Sequence, residues 1–157
     1  MMEKDLKYGW MNWEEIAPFR NQLVDMELDL MITYHYPDWD IPRSYVKTHV
    51  DSLKQYIANG NTYFWGVWDD KYLYGYFWGY VSAFIDKSRW NNRSTYFKEE
   101  LKGKGYSALG MEASIRKAKE VGCDQIVTHY AAFNGRMGAF LKKYNFLPMR
   151  VEMVRDI

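Results

Sequence analysis

The sequence is short of several features that mark particular classes of protein. It contains one cysteine, Cys123, among 157 residues, which excludes an intramolecular disulfide framework and a multi-cysteine zinc site. No apolar run is long enough to span a membrane, and the first ten residues, MMEKDLKYGW, lack the apolar segment of a secretory signal. We therefore expect a soluble protein of the cytoplasm, with no metal and no membrane partner.

An excess of charge of either sign is also missing. Lys and Arg total 21 against 20 Asp and Glu, so no overall field attracts nucleic acid. A nucleic-acid-binding domain that uses exposed aromatic residues is therefore the weakest of the functions considered. Aromatic residues are plentiful, at 18% of the chain. Because large rings fill cores, line ligand grooves and form oligomer interfaces, a homodimer is a possible assembly.

The apolar pattern predicts one domain over residues 1–157, of the α/β class, with ten elements in the order βααβββαβαβ. Asn12 and Glu15 form a predicted capping box before the first helix. An ordered loop is expected over 32–41, and a polar hairpin tip over 86–93. The predicted strands are 6–10, 62–68, 71–84, 94–97, 125–130 and 147–154, and the predicted helices end near residues 31, 58, 121 and 144.

The stretch 101–121 carries the clearest chemistry, because a glycine-rich turn opens an amphipathic helix. The helix has an apolar face formed by Ala108, Met111, Ile115, Ala118 and Val121. Gly103 and Gly105 would let backbone N–H groups approach an anion, and the helix dipole would add to the attraction. Lys102 and Lys104 add positive charge. These residues alone are consistent with either a phosphate cradle or an ordinary glycine turn.

Two familiar glycine motifs do not account for this turn. Gly103-x-Gly105-x-x-Ala108 matches the dinucleotide pattern, but charged KEELK precedes it instead of an apolar strand. Only about fifty residues follow the turn, too few for the long βαβ array that the pattern requires. A Walker A loop is excluded because no Gly-Lys-[Ser/Thr] occurs at the required spacing. The turn is therefore a third kind of anion loop.

The element order and the motifs after Ser94 resemble the GNAT N-acetyltransferase superfamily. The stretch 102–107 is similar to the family's [QR]-x-x-G-x-[GA] loop, with Lys102 and Ser107 as its two departures. Asn134-x-Arg136, followed by Ala139-Phe140 and Phe146, resembles the family's N-x-[RK]-A-x-x-F-Y-x-K-x-G-F segment. The stretch DKYLYGYFWGYV resembles its second and third strands. The resemblance implies a GNAT-like fold with a mixed central sheet in which strands four and five splay apart.

This resemblance implies that acetyl-CoA, or a close acyl homologue, donates its acyl group directly to a primary amine. The acceptor would be a small-molecule amine or a peptide N-terminus. By the same resemblance, the loop backbone would hold the pyrophosphate, while Phe97 and Asn134 would contact the pantetheine and Arg136 the nucleotide end. Asn134 could instead be only a helix cap, and Arg136 a solvated residue. The implied cofactor-binding residues are Phe97, Lys102, Gly103, Lys104, Gly105, Tyr106, Ser107, Asn134 and Arg136.

Two positions bear on catalysis. In relatives that acetylate ribosomal-protein N-termini, the place five residues before the Asn carries a carboxylate base; here it is His129, which could also be a structural strand-edge histidine. The family's usual acid, a Tyr seven residues after that Asn, is replaced by Leu141. Tyr144 is then the candidate acid, and further proton sources are Tyr96, Tyr130 and solvent. Cys123 is a poor nucleophile candidate, at the far end of the helix from the loop.

The acceptor site is expected opposite the cofactor, between the loop 32–41 and the tip 86–93. Aromatic walls are predicted there from Tyr34, His35, Tyr36, Trp39 and Trp90, with Asp38 and Asp40 attracting a cation. These rings could instead only pack the loop onto the body. The missing acid at Leu141 leaves a second function open, a non-catalytic acyl-CoA-binding module with a sensory or regulatory role.

Overall fold

Five strands form one mixed sheet in this computed structural model, which describes residues 5–157. They lie side by side in chain order, and every neighbouring pair is antiparallel except the last, which is parallel. This confirms the predicted α/β class and mixed sheet. The strands are β1 (Lys7–Trp10), β2 (Thr62–Trp68), β3 (Leu73–Phe84), β4 (Lys87–Phe97) and β5 (Gln125–Thr128).

Five α-helices cover the two faces of the sheet. They are α1 (Trp13–Ile16), α2 (Arg20–Asp29), α3 (Arg43–Ala58), α4 (Tyr106–Glu120) and α5 (Gly135–Lys143). Alternation along β2 and β3 sends successive side chains to opposite faces. Phe64, Tyr76 and Trp78 therefore pack with α1, α2 and α3 in one core, while Trp65, Val67 and Phe77 pack with α4 and α5 in the other.

The parallel pair β4–β5 is short, and this opens the sheet at one end. Its register runs from Arg89–Gln125 to Asn92–Thr128, where β5 ends. β4 continues to Phe97, so residues 93–97 have no strand partner on the β5 side among residues 5–157. This divergence matches the expected splay of strands four and five.

A bulge in β4 lies at the same place. Trp78 pairs with Ser94 and Gly79 with Asn92, so Arg93 is the extra residue without a partner on β3. Bulges redirect side chains, and they are common beside functional sites. Here the Arg93 guanidinium lies over the Trp78 ring, with its central carbon 4.0 Å from the ring centroid.

The first helix begins at the capping residues that the sequence predicts. Asn12 Oδ1 accepts a hydrogen bond from the Glu15 N–H at 2.9 Å, and Glu15 Oε1 accepts one from the Asn12 N–H at 3.2 Å. The predicted capping box is thereby confirmed. The single turn α1 is followed by a 3₁₀ turn containing Pro18, and α2 begins at Arg20.

The expected loop over 32–41 is partly helical. A π-helical turn, Leu30–His35, extends α2, and the Tyr36 N–H closes it by donating to the Met31 carbonyl at 2.7 Å. The irregular segment therefore begins only at Tyr36. Aromatic residues without a clear period obscured the helical turn in the sequence.

The prediction of a polar hairpin tip over 86–93 is wrong. β4 begins at Lys87, and only Ile85 and Asp86 form the turn, because Phe84 already pairs with Lys87. The polar side chains that suggested a tip are paired within the sheet. Arg89 Nε donates to Gln125 Oε1 at 3.0 Å, and Asn91 Nδ2 donates to Ser82 Oγ at 2.8 Å.

The predicted last strand over 147–154 does not form. Its alternating apolar residues are exposed, and residues 147–157 make no backbone–backbone hydrogen bond in the described chain. Alternation produces a strand only where a sheet edge is available for pairing, and Pro148 has no N–H to donate. The observed order ends at α5, so the final β of βααβββαβαβ is absent.

Candidate active site

A pocket lies between the diverging strands β4 and β5. We call its two walls the loop side, formed by the starts of α4 and α5, and the α2 side, formed by the π-helical turn and the bulge of β4. The loop side includes Phe97, Lys102, Ser107, Asn134 and Arg136. The α2 side includes Tyr34, His35, Asn92, Arg93 and Tyr96, and His129 and Tyr130 follow β5 between the two sides.

Helix α4 begins without a cap on the loop side. No side chain bonds to its first turn, and its first backbone bond joins the Leu109 N–H to the Gly105 carbonyl at 3.1 Å. The N–H groups of Tyr106, Ser107 and Ala108 therefore have no backbone acceptor among residues 5–157. Unpaired N–H groups at a helix N-terminus form a natural anion site.

The two glycines before α4 fit an approaching anion. Gly103 and Gly105 have φ values of +78° and +84°, a region that other residues rarely adopt. A Cβ placed on either would meet no atom within 4 Å, so the space above the loop is open. The geometry thus favours a cradle that acts through its main chain.

Only some of the charged and aromatic side chains of this loop line the pocket. Lys102 lines the pocket and is ion-paired to Glu99, while Arg136 lines it from an exposed position. Lys104 and Tyr106 do not line it, and Tyr106 packs edge-on against Tyr8 with ring centroids 6.0 Å apart.

Asn134 caps a helix and also lies beside the pocket. Its Oδ1 caps α5 by accepting from the Met137 N–H at 3.2 Å, and the residue also lines the pocket. Its Nδ2 makes no hydrogen bond within the described chain. Asn134 therefore has a free donor beside the pocket while it caps the helix.

The α2 side is supported by a buried carboxylate. Glu27, with only 5% of its side chain exposed, accepts from Tyr76 Oη at 2.8 Å and from Ser94 Oγ at 3.2 Å. Arg93 Nη1 lies 3.5 Å from Glu27 Oε2. Burial, and then the Glu27 charge, raises the pKa of Tyr76, so that hydroxyl stays a donor.

Asp29 forms a second contact behind the pocket. Its Oδ2 accepts from Tyr96 Oη and its Oδ1 from Thr33 Oγ1 at 2.8 Å. Burial raises the pKa of Tyr96, with smaller effects from the hydrogen bond to Asp29 and its charge. Tyr96 therefore holds its proton firmly and is a poor acid.

Two imidazoles face the same pocket. His35 and His129 both line it, and they interact electrostatically. Burial lowers the pKa of His35, and the charge of His129 lowers it further. His35 is therefore neutral at neutral pH and can accept a proton.

Leu141, at the expected acid position, and Tyr144, the candidate acid, lie in different places. Leu141 is 4% exposed and lines the pocket, so an apolar wall stands where the resemblance places a Tyr. Tyr144 does not line the pocket and packs against Phe140, with ring centroids 5.1 Å apart. Burial, and then Glu112, raises its pKa. The structure does not bring Tyr144 to the other candidate residues.

The expected acceptor residues are divided in the same way. Tyr34 and His35 line the pocket, whereas Tyr36 and Trp39 pack against each other at a tilt and are 41% and 64% exposed. Trp90 is buried beneath Tyr63. Sequence reasoning missed Asn92 and Arg93, because it assigned them to a turn.

Other kinds of site find no support in residues 5–157. No group of three His, Cys, Asp or Glu side chains is placed to hold a metal ion. No helix there is both long enough and apolar enough to cross a membrane. Cys123 lies outside the pocket, with its Sγ 3.8 Å from Ser88 Oγ.

Comparison with known families gives this geometry a context. A model described as the acetyltransferase (GNAT) family matches residues 25–146. That range contains the diverging strands, the glycine loop and Asn134. The chain belongs to the acetyltransferase (GNAT) family.

Solved structures agree with a GNAT fold over nearly the whole chain. Aminoglycoside N-acetyltransferase AAC(6')-Iy in complex with CoA is similar at a TM-score of 0.72 and 12% identity, covering 99% of this chain and 97% of that one. An aminoglycoside acetyltransferase from an uncultured soil metagenomic sample, in complex with sisomicin, gives 0.70 and 13%, with 97% and 96% covered. Ribosomal-protein-alanine N-acetyltransferase from Brucella melitensis biovar Abortus 2308 gives 0.69 and 14%, with 97% and 99% covered. No curated protein matches the chain.

Proposed function

We propose that this GNAT chain is an acetyl-CoA-dependent N-acetyltransferase that acts on a primary amine in the pocket between β4 and β5. The observation that carries the proposal is the uncapped start of α4, which opens onto a pocket that also holds two histidines. One group of residues suits an anionic cofactor, and the other suits proton transfer from an amine. Solved relatives bound to CoA and to sisomicin support both parts.

The loop side would hold coenzyme A. Free N–H groups of Tyr106, Ser107 and Ala108 would bind the diphosphate, and the glycines leave room for it. The unpaired β4 edge that ends at Phe97 would bind the pantetheine amides as a neighbouring strand would. Asn134 Nδ2 is a further donor. When bound, acetyl-CoA supplies an acetyl group activated as a thioester.

Proton transfer would be carried out by the two histidines, which lie outside the loop side. An amine must lose a proton to become a nucleophile, and His129 accepts it directly or through water. His35 is a second acceptor, because burial keeps it neutral. Direct transfer needs no enzyme nucleophile, which agrees with the position of Cys123 outside the pocket.

The departing thiolate needs little help from the protein. Leu141 cannot donate a proton, and Tyr144 does not line the pocket. The Tyr130 hydroxyl and solvent could donate the proton, and the Tyr34 hydroxyl belongs to the same pocket. A thiol with a pKa of about 8.5 is a fair leaving group without a strong acid.

A second function follows from the same apolar wall. Because Leu141 occupies the expected acid position, the chain could bind acyl-CoA without transferring the acyl group, as a sensor or regulatory module. The cytoplasmic location and the homodimer stay predictions from composition.

Acetyl-CoA turnover separates the two functions. The purified chain is incubated with acetyl-CoA and a panel of primary amines, and thiol release is followed while calorimetry measures coenzyme A binding. Amine-dependent thiol release supports the transferase. Binding without turnover across the panel supports the sensor, and absence of binding contradicts both.

A further inference from the structure

The lining of the pocket carries positive charge without negative charge. No Asp or Glu of residues 5–157 lines it, whereas Arg93, Lys102 and Arg136 do, together with two histidines. Lys102 and Arg136 lie on the loop side, where an anionic cofactor accounts for them. Arg93 lies on the α2 side, away from that loop, where it is paired with Glu27 through Nη1 only.

Arg93 has donors to spare. All the hydrogen bonds that it makes within residues 5–157 come from Nη1, to Glu27 Oε2 at 3.5 Å and Ser94 Oγ at 3.4 Å. The guanidinium stacks on the Trp78 ring, and 29% of the side chain is exposed. Its Nε and Nη2 are therefore free to bind a planar anion, which the rigid fork of Arg suits.

The bulge fixes the orientation of the Arg93 side chain. Because Arg93 is the extra residue of β4, its side chain is directed over Trp78 while Ser94 and Asn92 keep their pairs on β3. The side chain is held between the ring and Glu27. An arginine fixed in this way is suited to recognition.

The neighbouring Asn92 supplies an unused acceptor. Its Nδ2 donates to Thr95 Oγ1 at 2.9 Å, while its Oδ1 is buried without a hydrogen-bond partner in the described chain. A buried carbonyl oxygen without a partner is unfavourable, and an amine N–H of a ligand would satisfy it. The wall thus offers an acceptor for an amine next to a donor for an anion.

The carboxylates behind this wall already have hydrogen-bond partners within the protein. Glu27 accepts from two hydroxyl groups and faces Arg93, and Asp29 accepts from Tyr96 and Thr33. Neither lines the pocket. A polycationic acceptor would therefore meet Arg93 without an exposed carboxylate to offset it.

We infer that the acceptor is an amine that also carries an anionic group, and that Arg93 binds this group while Asn92 Oδ1 binds the amine. The inference rests on the proposed function of the pocket. It separates this chain from the relatives whose names show aminoglycoside acceptors.

Matched acceptors and variants test the inference. Thiol release is measured with alanine and alaninamide, with phosphoethanolamine and ethanolamine, and with spermidine as a polycation. The first pair tests a carboxylate, and the second tests a phosphate. For each pair we compare kcat/KM for the anionic and uncharged members in the parent, in Arg93→Gln and in Arg116→Gln. A change in this ratio between proteins is independent of the amines' own pKa values.

We expect the ratio for the carboxylate pair, the phosphate pair or both to fall about tenfold or more in Arg93→Gln, because a charge-assisted bond is lost. The ratio should stay unchanged in Arg116→Gln, an exposed arginine of α4 outside the pocket. The fall should come from KM more than from kcat. Because Arg93→Gln leaves Glu27 without its cation, the double variant Glu27→Gln/Arg93→Gln is measured as well.

Turnover with unchanged ratios in both Arg93 variants would overturn the inference and leave the transferase intact. Preference for spermidine over both anionic amines would do the same. If no amine is acetylated, calorimetry on the coenzyme A complex decides. Arg93-dependent binding of alanine or phosphoethanolamine then supports the anion site without catalysis, and absence of such binding overturns the site.

Discussion

The two sides of the pocket are built from different parts of the polypeptide. On the loop side the groups that would bind the cofactor are main-chain N–H groups of consecutive residues at the start of α4. On the α2 side they are side chains from separate places, His35 on a helical turn and Arg93 on a bulge, and His129 follows β5 between the two sides. The first arrangement suits a cofactor whose phosphates are the same in every cycle. The second can change its acceptor by a few substitutions without losing the cofactor site.

The largest effect is expected from His129→Gln, which changes a side chain between the two sides and outside the loop. Loss of a general base lowers rates by about 10²- to 10⁴-fold, so kcat should fall within that range. The dissociation constant of coenzyme A, measured by calorimetry, should stay the same. Lys54→Gln, an exposed residue of α3 outside the pocket, is the control. Weaker coenzyme A binding in His129→Gln would show that the two sides are not independent.

Gly105→Val tests the loop side. A branched residue is strained at a φ of +84°, and its side chain would fill the open space above the loop. We expect the dissociation constant for coenzyme A to rise about 100-fold, which corresponds to about 2.8 kcal/mol.

Gly122→Val is the control for this change. Gly122 has a φ of +81° at the other end of α4, with open space around its Cβ position, so the strain is matched without contact with the pocket. Equal loss of affinity in both variants would assign the effect to stability and contradict the cradle.

Lys102→Gln and Arg136→Gln sharpen the claim that this side acts through its main chain. Each removes one pocket-lining charge. Because Arg136 is exposed and Lys102 is already ion-paired to Glu99, each should weaken coenzyme A binding by no more than about fivefold. Lys119→Gln, on the exposed face of α4, should have no effect. A loss as large as that in Gly105→Val would mean that the side chains carry the site.

The smallest effect concerns pH and the α2 side. The pKa of His35 is lowered in the folded protein, so the unfolded chain takes up its proton first as the pH falls. The stability that depends on a neutral His35 is therefore fully present above an ordinary pKa of about 6.5, and it is lost as the pH drops below that value. Thermal unfolding of His35→Gln should therefore show a smaller loss of stability between pH 7 and pH 5. A steeper loss in the variant would contradict the buried neutral imidazole.

The same contrast explains what the sequence could predict. The capping box of Asn12 and Glu15, the start of α4 and the cap at Asn134 each depend on residues a few positions apart, and all are present. Sequence pattern was sufficient to predict these elements because the residues that form each of them are neighbours in the chain.

The α2 side depends on distant contacts. DKSRWNNR resembles a turn, because its polar residues give no sign that they pair with β3, β5 and α2. Only the fold brings Arg93 to Glu27, 66 positions away, and His129 to His35. The predicted last strand failed for a related reason, since its alternating pattern says nothing about a partner edge.

A crystal structure with coenzyme A tests the whole arrangement most directly. The diphosphate should lie about 3 Å from the backbone nitrogens of Tyr106, Ser107 and Ala108, the distance of a hydrogen bond. The sulfur should lie between β4 and β5, nearer to His129 than to Cys123. A diphosphate bound elsewhere, with the first turn of α4 left without a ligand, would contradict the account.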